Sequence, residues 1–280
     1  MTATRIDSVE ELRRLATRLR IEIIKMIGAA GSGHPGGSLS EVELLVALYF
    51  HVMRHDPANP QWDNRDRFIL SKGHGVPALY AVLAEAGYLD PKLLGTLRKL
   101  GSPLQGHPDR RMLPILDACT GSLGNGLSVG IGLAMAAQLN KQDFHTFVMA
   151  GDGEIQEGQN WEAAMYAGFH KMSNLTCIVD YNHLQLDGFL KDILDPGPLA
   201  DKFAAFEWHV VQCNGHDFGQ VIPALLDARS GKFGKPFCLI ANTVKGKGVS
   251  FMENSPEWHG TAPNPEQVEK AVQELEALLV

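Results

Sequence analysis

The chain has 280 residues, 45% of them hydrophobic, a net charge of −7 and a mean hydropathy close to zero. That acidic balance, with a pI near 5.9, argues against a nucleic-acid binder, which presents a basic face, but it does not exclude a locally basic site for small anions. No apolar run reaches the length of a membrane span, the N-terminus lacks a signal-peptide pattern, and the four cysteines show no paired spacing, so a cytoplasmic protein with buried free thiols is expected.

In chain order, apolar residues at helical spacing predict a helix over 6–29, stopped by Gly28 and Gly31. A second is expected over 40–49, opened by a capping box of Ser40 and Glu43. A short strand over 67–70 leads into Ser71-Lys72-Gly73-His74-Gly75, and helices follow over 77–85 and 91–100. The run Gly121-Ser122-Leu123-Gly124-Asn125-Gly126 opens a Gly/Ala-rich helix to about residue 139, whose small side chains suit close packing on a sheet. Strands over 146–150 and 175–179 flank a helix over 161–169. A strand over 208–212, a helix over 219–228, a strand over 236–243 and a charged helix over 265–279 complete the chain. The segment 187–201 has little periodicity and reads as an ordered excursion. Strands alternating with helices from residue 144 onward predict an α/β fold: one doubly wound, mostly parallel sheet with helices on both faces, as a single domain over 1–280.

The most informative feature is Gly151-Asp152-Gly153 at the end of one predicted strand, with Asn182 closing the next. A right-handed crossover places both polar residues at the carboxyl edge of the sheet. Asp and Asn supply hard oxygen ligands for Mg²⁺ or Ca²⁺, and Gly153 lets a phosphate approach bare backbone. The same tripeptide also makes ordinary tight turns, so both readings stay open on spacing alone.

Five of the eleven histidines have a glycine neighbour: His34, His74, His107, His216 and His259. On such loops an imidazole can face a ligand, or simply be solvated. His216 reads as structural, at a turn that starts a helix. His51 and His55 have the spacing of a metal pair, but Pro57 ends the helix there and a surface end-cap is the expected role. Glu154 reads as a helix-start carboxylate.

Taken together, Ser32-Gly33-His34-Pro35-Gly36, 66–75, Gly106-His107-Pro108, 120–126, Gly151-Asp152-Gly153 with Glu157-Gly158, Asp180-Tyr181-Asn182 and His259-Gly260 resemble, in order, the N-terminal diphosphate-binding part of transketolase. The resemblance implies thiamine diphosphate with Mg²⁺ (Ca²⁺ or Mn²⁺ as substitutes) and transfer of a two-carbon ketol unit between sugars or sugar phosphates. It implies Asp152, Asn182 and the Leu184 carbonyl as metal ligands. It places the Gly153 amide, His74 and His259 near the diphosphate, and Gly121, Ser122 and Leu123 near the aminopyrimidine. His34, His107, His259 and His74 would bind donor hydroxyls or relay protons, and Glu157 would reach the partner's activating glutamate. Tyr181, His183 and Ser122 depart from the family's usual residues. The pyrimidine-binding and C-terminal domains of the family do not fit within this sequence. A split enzyme is therefore expected, with a second chain carrying them and two copies of each chain assembled. The alternatives are a subunit of a 2-oxoacid dehydrogenase, a 1-deoxyxylulose-phosphate synthase-like enzyme, or a noncatalytic cofactor-binding subunit.

Overall fold

In the computed structural model, which describes residues 5–186 and 188–279, five strands form one sheet. They are β1 (Arg67–Leu70), β2 (Thr146–Gly151), β3 (Leu175–Tyr181), β4 (His209–Asn214) and β5 (Phe237–Asn242), ordered β1-β2-β3-β5-β4 and parallel throughout. Alternate residues serve two separate cores, as the two-residue period of a strand requires. Phe68, Phe147, Met149, Ile178 and Leu239 enter one core. Ile69, Val148, Ala150, Val179 and Ile240 enter the other. Apolar side chains on both faces are what a sheet covered on both sides needs.

The first core is closed by α1 (Val9–Ala30), α2 (Pro35–Ser40), α3 (Val42–Ala47), a π-helical turn at Leu48–Val52, α4 (Val76–Glu85) and, from the C-terminal half, two helices described below. The second is closed by α5 (Gly126–Leu139), α6 (Gly158–Phe169) and, past the short α7 (Leu190–Ile193), α8 (Leu199–Ala205). Helix α9 (Phe218–Arg229) lies on the first face with α10 (Pro265–Glu276). Handedness explains the division. From β1 to β4 the chain steps across the sheet in one direction, with α5, α6 and α8 on one face. It then turns back to insert β5 between β3 and β4, so a right-handed crossover must put α9 on the opposite face. The small residues of α5 do permit close approach: a Cβ on Gly130 would lie 2.4 Å from Val148.

Several boundaries differ from expectation for tertiary reasons. The helix expected over 40–49 is interrupted at Glu41, and its capping box does not form. The Ser40 hydroxyl instead reaches Asp180 (2.6 Å), while Glu43 is buried against Arg20 (2.6 and 2.7 Å) and His216 (2.9 Å). The helix expected over 91–100 is a 3₁₀ segment, Pro91–Thr96, capped by Asp90. Asp187 lies outside the described residues, but the rest of the expected excursion contains α7 and the start of α8. His55 is not a surface end-cap: its ring is buried between the Tyr49 carbonyl (2.6 Å) and the Tyr88 hydroxyl (2.9 Å). His51 meets the Ile6 carbonyl and Arg5, so the two histidines form no metal pair.

Candidate active site

The carboxyl ends of β1, β2 and β3, with loops from the first core and from beyond β5, enclose a cleft of about 390 Å³. His34, His74, His107, Gly121, Leu123, Asp152, Gly153, Glu157, Asn182, Leu184 and His259 all line it, as do Lys72, Glu154 and Lys245. Of the site residues that the resemblance implies, Ser122 alone is not on the lining; its hydroxyl pairs with Asn125 (2.9 Å) on the surface.

Four imidazoles gather on one wall. His34 is central, with ring centroids 5.2 Å from His74, 5.5 Å from His259 and 6.3 Å from His107. His74 and His259 are 5.1 Å apart. Burial, reinforced by Arg98, His107 and Lys245, lowers the pKa of His34 to about 4. Burial and Lys245 bring His259 to about 3. His74 and His107 are lowered in the same way, first by burial. All four rings are therefore neutral near pH 7, where an imidazole can both accept and donate a proton. The Nδ1 of His34 is buried with no hydrogen-bond partner among the described residues. The buried Lys245 Nζ bonds to His259 Nδ1 (2.8 Å). An ammonium only donates, so the ring proton of His259 sits on Nε2.

Opposite the histidines are the oxygen donors. Asp152 is 2% exposed, and its carboxylate accepts hydrogen bonds from the amides of Gly153 (2.8 Å) and His183. Burial, and then Asp180, push its pKa up to about 7, outweighing the two amide hydrogen bonds and the opposing charge of Lys245. Asn182 is 6% exposed and accepts from the Leu184 amide (3.2 Å). The Leu184 carbonyl receives Lys245 Nζ at 3.2 Å. A carboxylate, a carboxamide and a main-chain carbonyl form a hard, all-oxygen set, which fits Mg²⁺ or Ca²⁺ and not a thiophilic ion. Among the described residues no group of three or more His, Cys, Asp or Glu is arranged to hold a metal. Gly153 has ordinary right-handed angles (φ −66°), so its turn does not demand glycine; a Cβ would instead press to 3.0 Å from Gln185.

Beneath the cleft lies a set of residues whose role no local motif signals. Lys72, immediately after β1, is fully buried and donates to Asp180 on β3 and to the Gly37 carbonyl (2.9 Å), with Glu41 2.9 Å away. Ser40 and Thr243 also donate to Asp180. Burial works against both charges, but mutual attraction outweighs it: the Lys72 pKa is raised and that of Asp180 lowered. Glu41 is the weaker claimant on the shared ammonium. Neither of its oxygens has a well-aligned donor among the described residues, and burial pushes its pKa up to about 8. Glu154, too, does more than open a helix. Its buried carboxylate accepts from Ser71 Oγ, the Gly124 amide (2.9 Å) and the Gly151 amide (3.0 Å), tying together the loops after β1, before α5 and after β2. Glu157, by contrast, is exposed at the start of α6, and its carboxylate accepts no hydrogen bond among the described residues. His216 is structural, as its sequence suggested: Nε2 accepts from the Val244 amide (2.9 Å) and Nδ1 meets Glu43.

A parallel sheet with a polar cleft at its carboxyl edge, floored by buried charge and walled by neutral imidazoles, defines an α/β cofactor-binding domain. The chain belongs to the transketolase family: the model described as transketolase, thiamine diphosphate binding domain, matches residues 12–276. It is 44% identical to a 6-deoxy-6-sulfo-D-fructose transketolase subunit of a Clostridium species, covering 95% of this chain and 96% of that protein. It is also 44% identical to an apulose-4-phosphate transketolase subunit of Actinobacillus succinogenes, covering 96% of this chain and 97% of that protein. Human transketolase is 38% identical over 96% of this chain, which spans 42% of that protein. The solved transketolase of Campylobacter jejuni superposes with a TM-score of 0.90 at 34% identity, covering 96% of this chain and 43% of that one.

Proposed function

We propose that this chain is a single-domain subunit of a split, thiamine-diphosphate-dependent transketolase, moving a two-carbon ketol unit from a ketose donor to an aldose acceptor. A partner chain carries the pyrimidine-binding and C-terminal domains, with two copies of each in the assembly. The observation that carries this reading is the convergence, in one cleft, of four neutral histidines with the Asp152, Asn182 and Leu184 oxygens. The two-chain arrangement is supported by relatives that are named as transketolase subunits and matched over nearly their whole length. No described helix is long and apolar enough to cross a membrane. Three of the four free cysteines are buried, which supports a reducing, cytoplasmic location.

In this reading Asp152, Asn182 and the Leu184 carbonyl hold Mg²⁺, and the Gly153 amide, His74 and His259 face the diphosphate. Gly121 and Leu123, with Ser122 beside them, flank the aminopyrimidine. Bound thiamine diphosphate supplies the carbon nucleophile that attacks the donor's carbonyl. His34 accepts a hydroxyl proton and returns it, and His107 and His259 orient neighbouring hydroxyls. Glu157, at the exposed rim, meets the partner's glutamate across the subunit interface. The buried Lys72–Asp180 pair holds the ends of β1 and β3 in register beneath these groups.

The test is to purify the chain with its partner and screen ketose donors and aldose acceptors with thiamine diphosphate and Mg²⁺. Ketol transfer by the complex, and none by this chain alone, is expected. Turnover by the isolated chain would overturn the split, and pyruvate decarboxylation in place of sugar-dependent turnover would overturn the activity.

A further inference from the structure

Arg98 lies just outside the cleft lining yet touches both loops that carry its outer histidines. Its Nη1 donates to Ser32 Oγ (3.1 Å), two residues before His34, and its Nη2 to the carbonyl of Gly106 (3.4 Å), the residue before His107. Two further features show that the surrounding chain is shaped to this side chain. Arg98 adopts a left-handed backbone (φ 59°), a strained conformation for a non-glycine residue, and its amide is held by the Leu104 carbonyl (2.9 Å). A Cβ on Gly106 would fall 2.6 Å from Arg98 Cζ, so only glycine lets the guanidinium lie against the main chain there.

We propose that Arg98 is a positioning residue: its planar fork clamps the Ser32–His34 loop to the Gly106–His107 loop and so sets the spacing of the two imidazoles across the cleft. The proposal rests on reading that cleft as the ketol-transfer site. Its charge has a second effect. After burial, Arg98 is the leading influence lowering the pKa of both rings; His107 and Lys245 also act on His34. A lysine supplies the charge but not two divergent donors, so clamp and field can be separated.

The full-length chain, labelled with ¹³C at histidine Cε1, gives the readout by NMR without needing the partner. In Arg98→Met the His34 and His107 titrations move up by about half a pH unit, the effect of removing one nearby charge from a largely wet cleft. Arg98→Lys keeps the titrations near those of the parent, but amide exchange in both loops rises several-fold. Gly106→Ala, which pushes the guanidinium aside without altering Arg98, reproduces the loosened loops. Should Arg98→Met fail to fold, these two variants carry the test. Unchanged loop exchange in Arg98→Lys and Gly106→Ala would overturn the clamp, and unchanged histidine titrations in a folded Arg98→Met chain would overturn the effect of its charge. In the reconstituted complex kcat falls about tenfold while cofactor affinity holds, as expected of misplaced reacting groups. If the parent complex shows no ketol transfer, the functional reading fails, whereas the NMR result still judges the clamp.

Discussion

Beneath the cleft, Asp180 accepts hydrogen bonds from Lys72, Ser40 and Thr243, and Lys72 is also held by the Gly37 carbonyl. At the wall and rim, the His34 Nδ1 has no partner, and the Glu157 carboxylate accepts no hydrogen bond, among the described residues. Leu186 and Leu194 stand exposed near the same rim, at 60% and 57%. The Lys72–Asp180 pair is thus completed by the chain itself, although the neighbouring Glu41 oxygens lack an aligned donor among the described residues, while the rim presents groups whose bonding capacity is spare. A buried polar network that is fully satisfied specifies one arrangement; polar atoms left unsatisfied beside a cleft mark where a ligand or partner completes the structure.

That contrast can be broken in four ways, from the largest effect to the smallest. In the reconstituted complex, His34→Ala is expected to cut ketol transfer by about 10²–10⁴-fold, the usual range for a proton-transfer group. Urea unfolding of the same variant should change by less than about 1 kcal/mol; a large stability loss would move His34 from the rim to the scaffold. Lys72→Met should do the opposite. Leaving Asp180 buried without its counterion costs about 3–5 kcal/mol, and a urea midpoint close to the parent's would show that the floor is not what holds the site.

For Asp152→Asn, the apo chain should melt within about 1 °C of the parent or above it, because a raised carboxylate pKa means its charge is unfavourable there. The stabilisation by Mg²⁺ with thiamine diphosphate, about 2.7 kcal/mol for a ligand at a hundred times its Kd, should largely vanish. Undiminished stabilisation would remove Asp152 from the ligand set.

The smallest effect lies in acid. The folded chain protonates His34 only near pH 4 and the unfolded chain near 6.5, so acid favours unfolding across that window and stability falls as pH drops through it. His34→Gln should flatten this slope in apo melts. The buried Glu43 behaves differently. Burial alone would raise its pKa, but Arg20 and His216 bring it to about 2, so its contribution is present above the unfolded value of 4.5 and is lost only as pH falls toward 2. A His34→Gln chain whose stability tracks the parent's between pH 6.5 and 4 would show that this imidazole is not neutral in the fold.

The histidine wall was legible in the sequence because each imidazole sits beside glycine in a short motif, and the oxygen pair because it ends two apolar strands. The strands were legible for a related reason. β2, β3 and β5 are apolar on both faces, which leaves few alternatives for a run of that length. The floor was not. Lys72, Glu41 and Asp180 read locally as ordinary loop, helix or strand-end charges, and only the pairing of β1, β2 and β3, with the α2–α3 junction packed against them, brings them together. The break at Glu41 was hidden for the same reason, since Ser40 and Glu43 are claimed by Asp180 and Arg20 and not by the helix. Helix α8 escaped notice because Leu199 and Phe203 are its only fully buried side chains, too few to show a period.

The Lys72–Asp180 bond joins positions 108 residues apart. Closing so long a loop costs little more than closing a short one, because each doubling of its length adds only about 0.6 kcal/mol. The connecting segments on the far sides of the molecule can therefore lengthen or shorten at small thermodynamic expense, provided the two ends still meet. Evolution is free to rewrite those spans, and with them the outline of the surface, without retuning the ionic bolt at the centre.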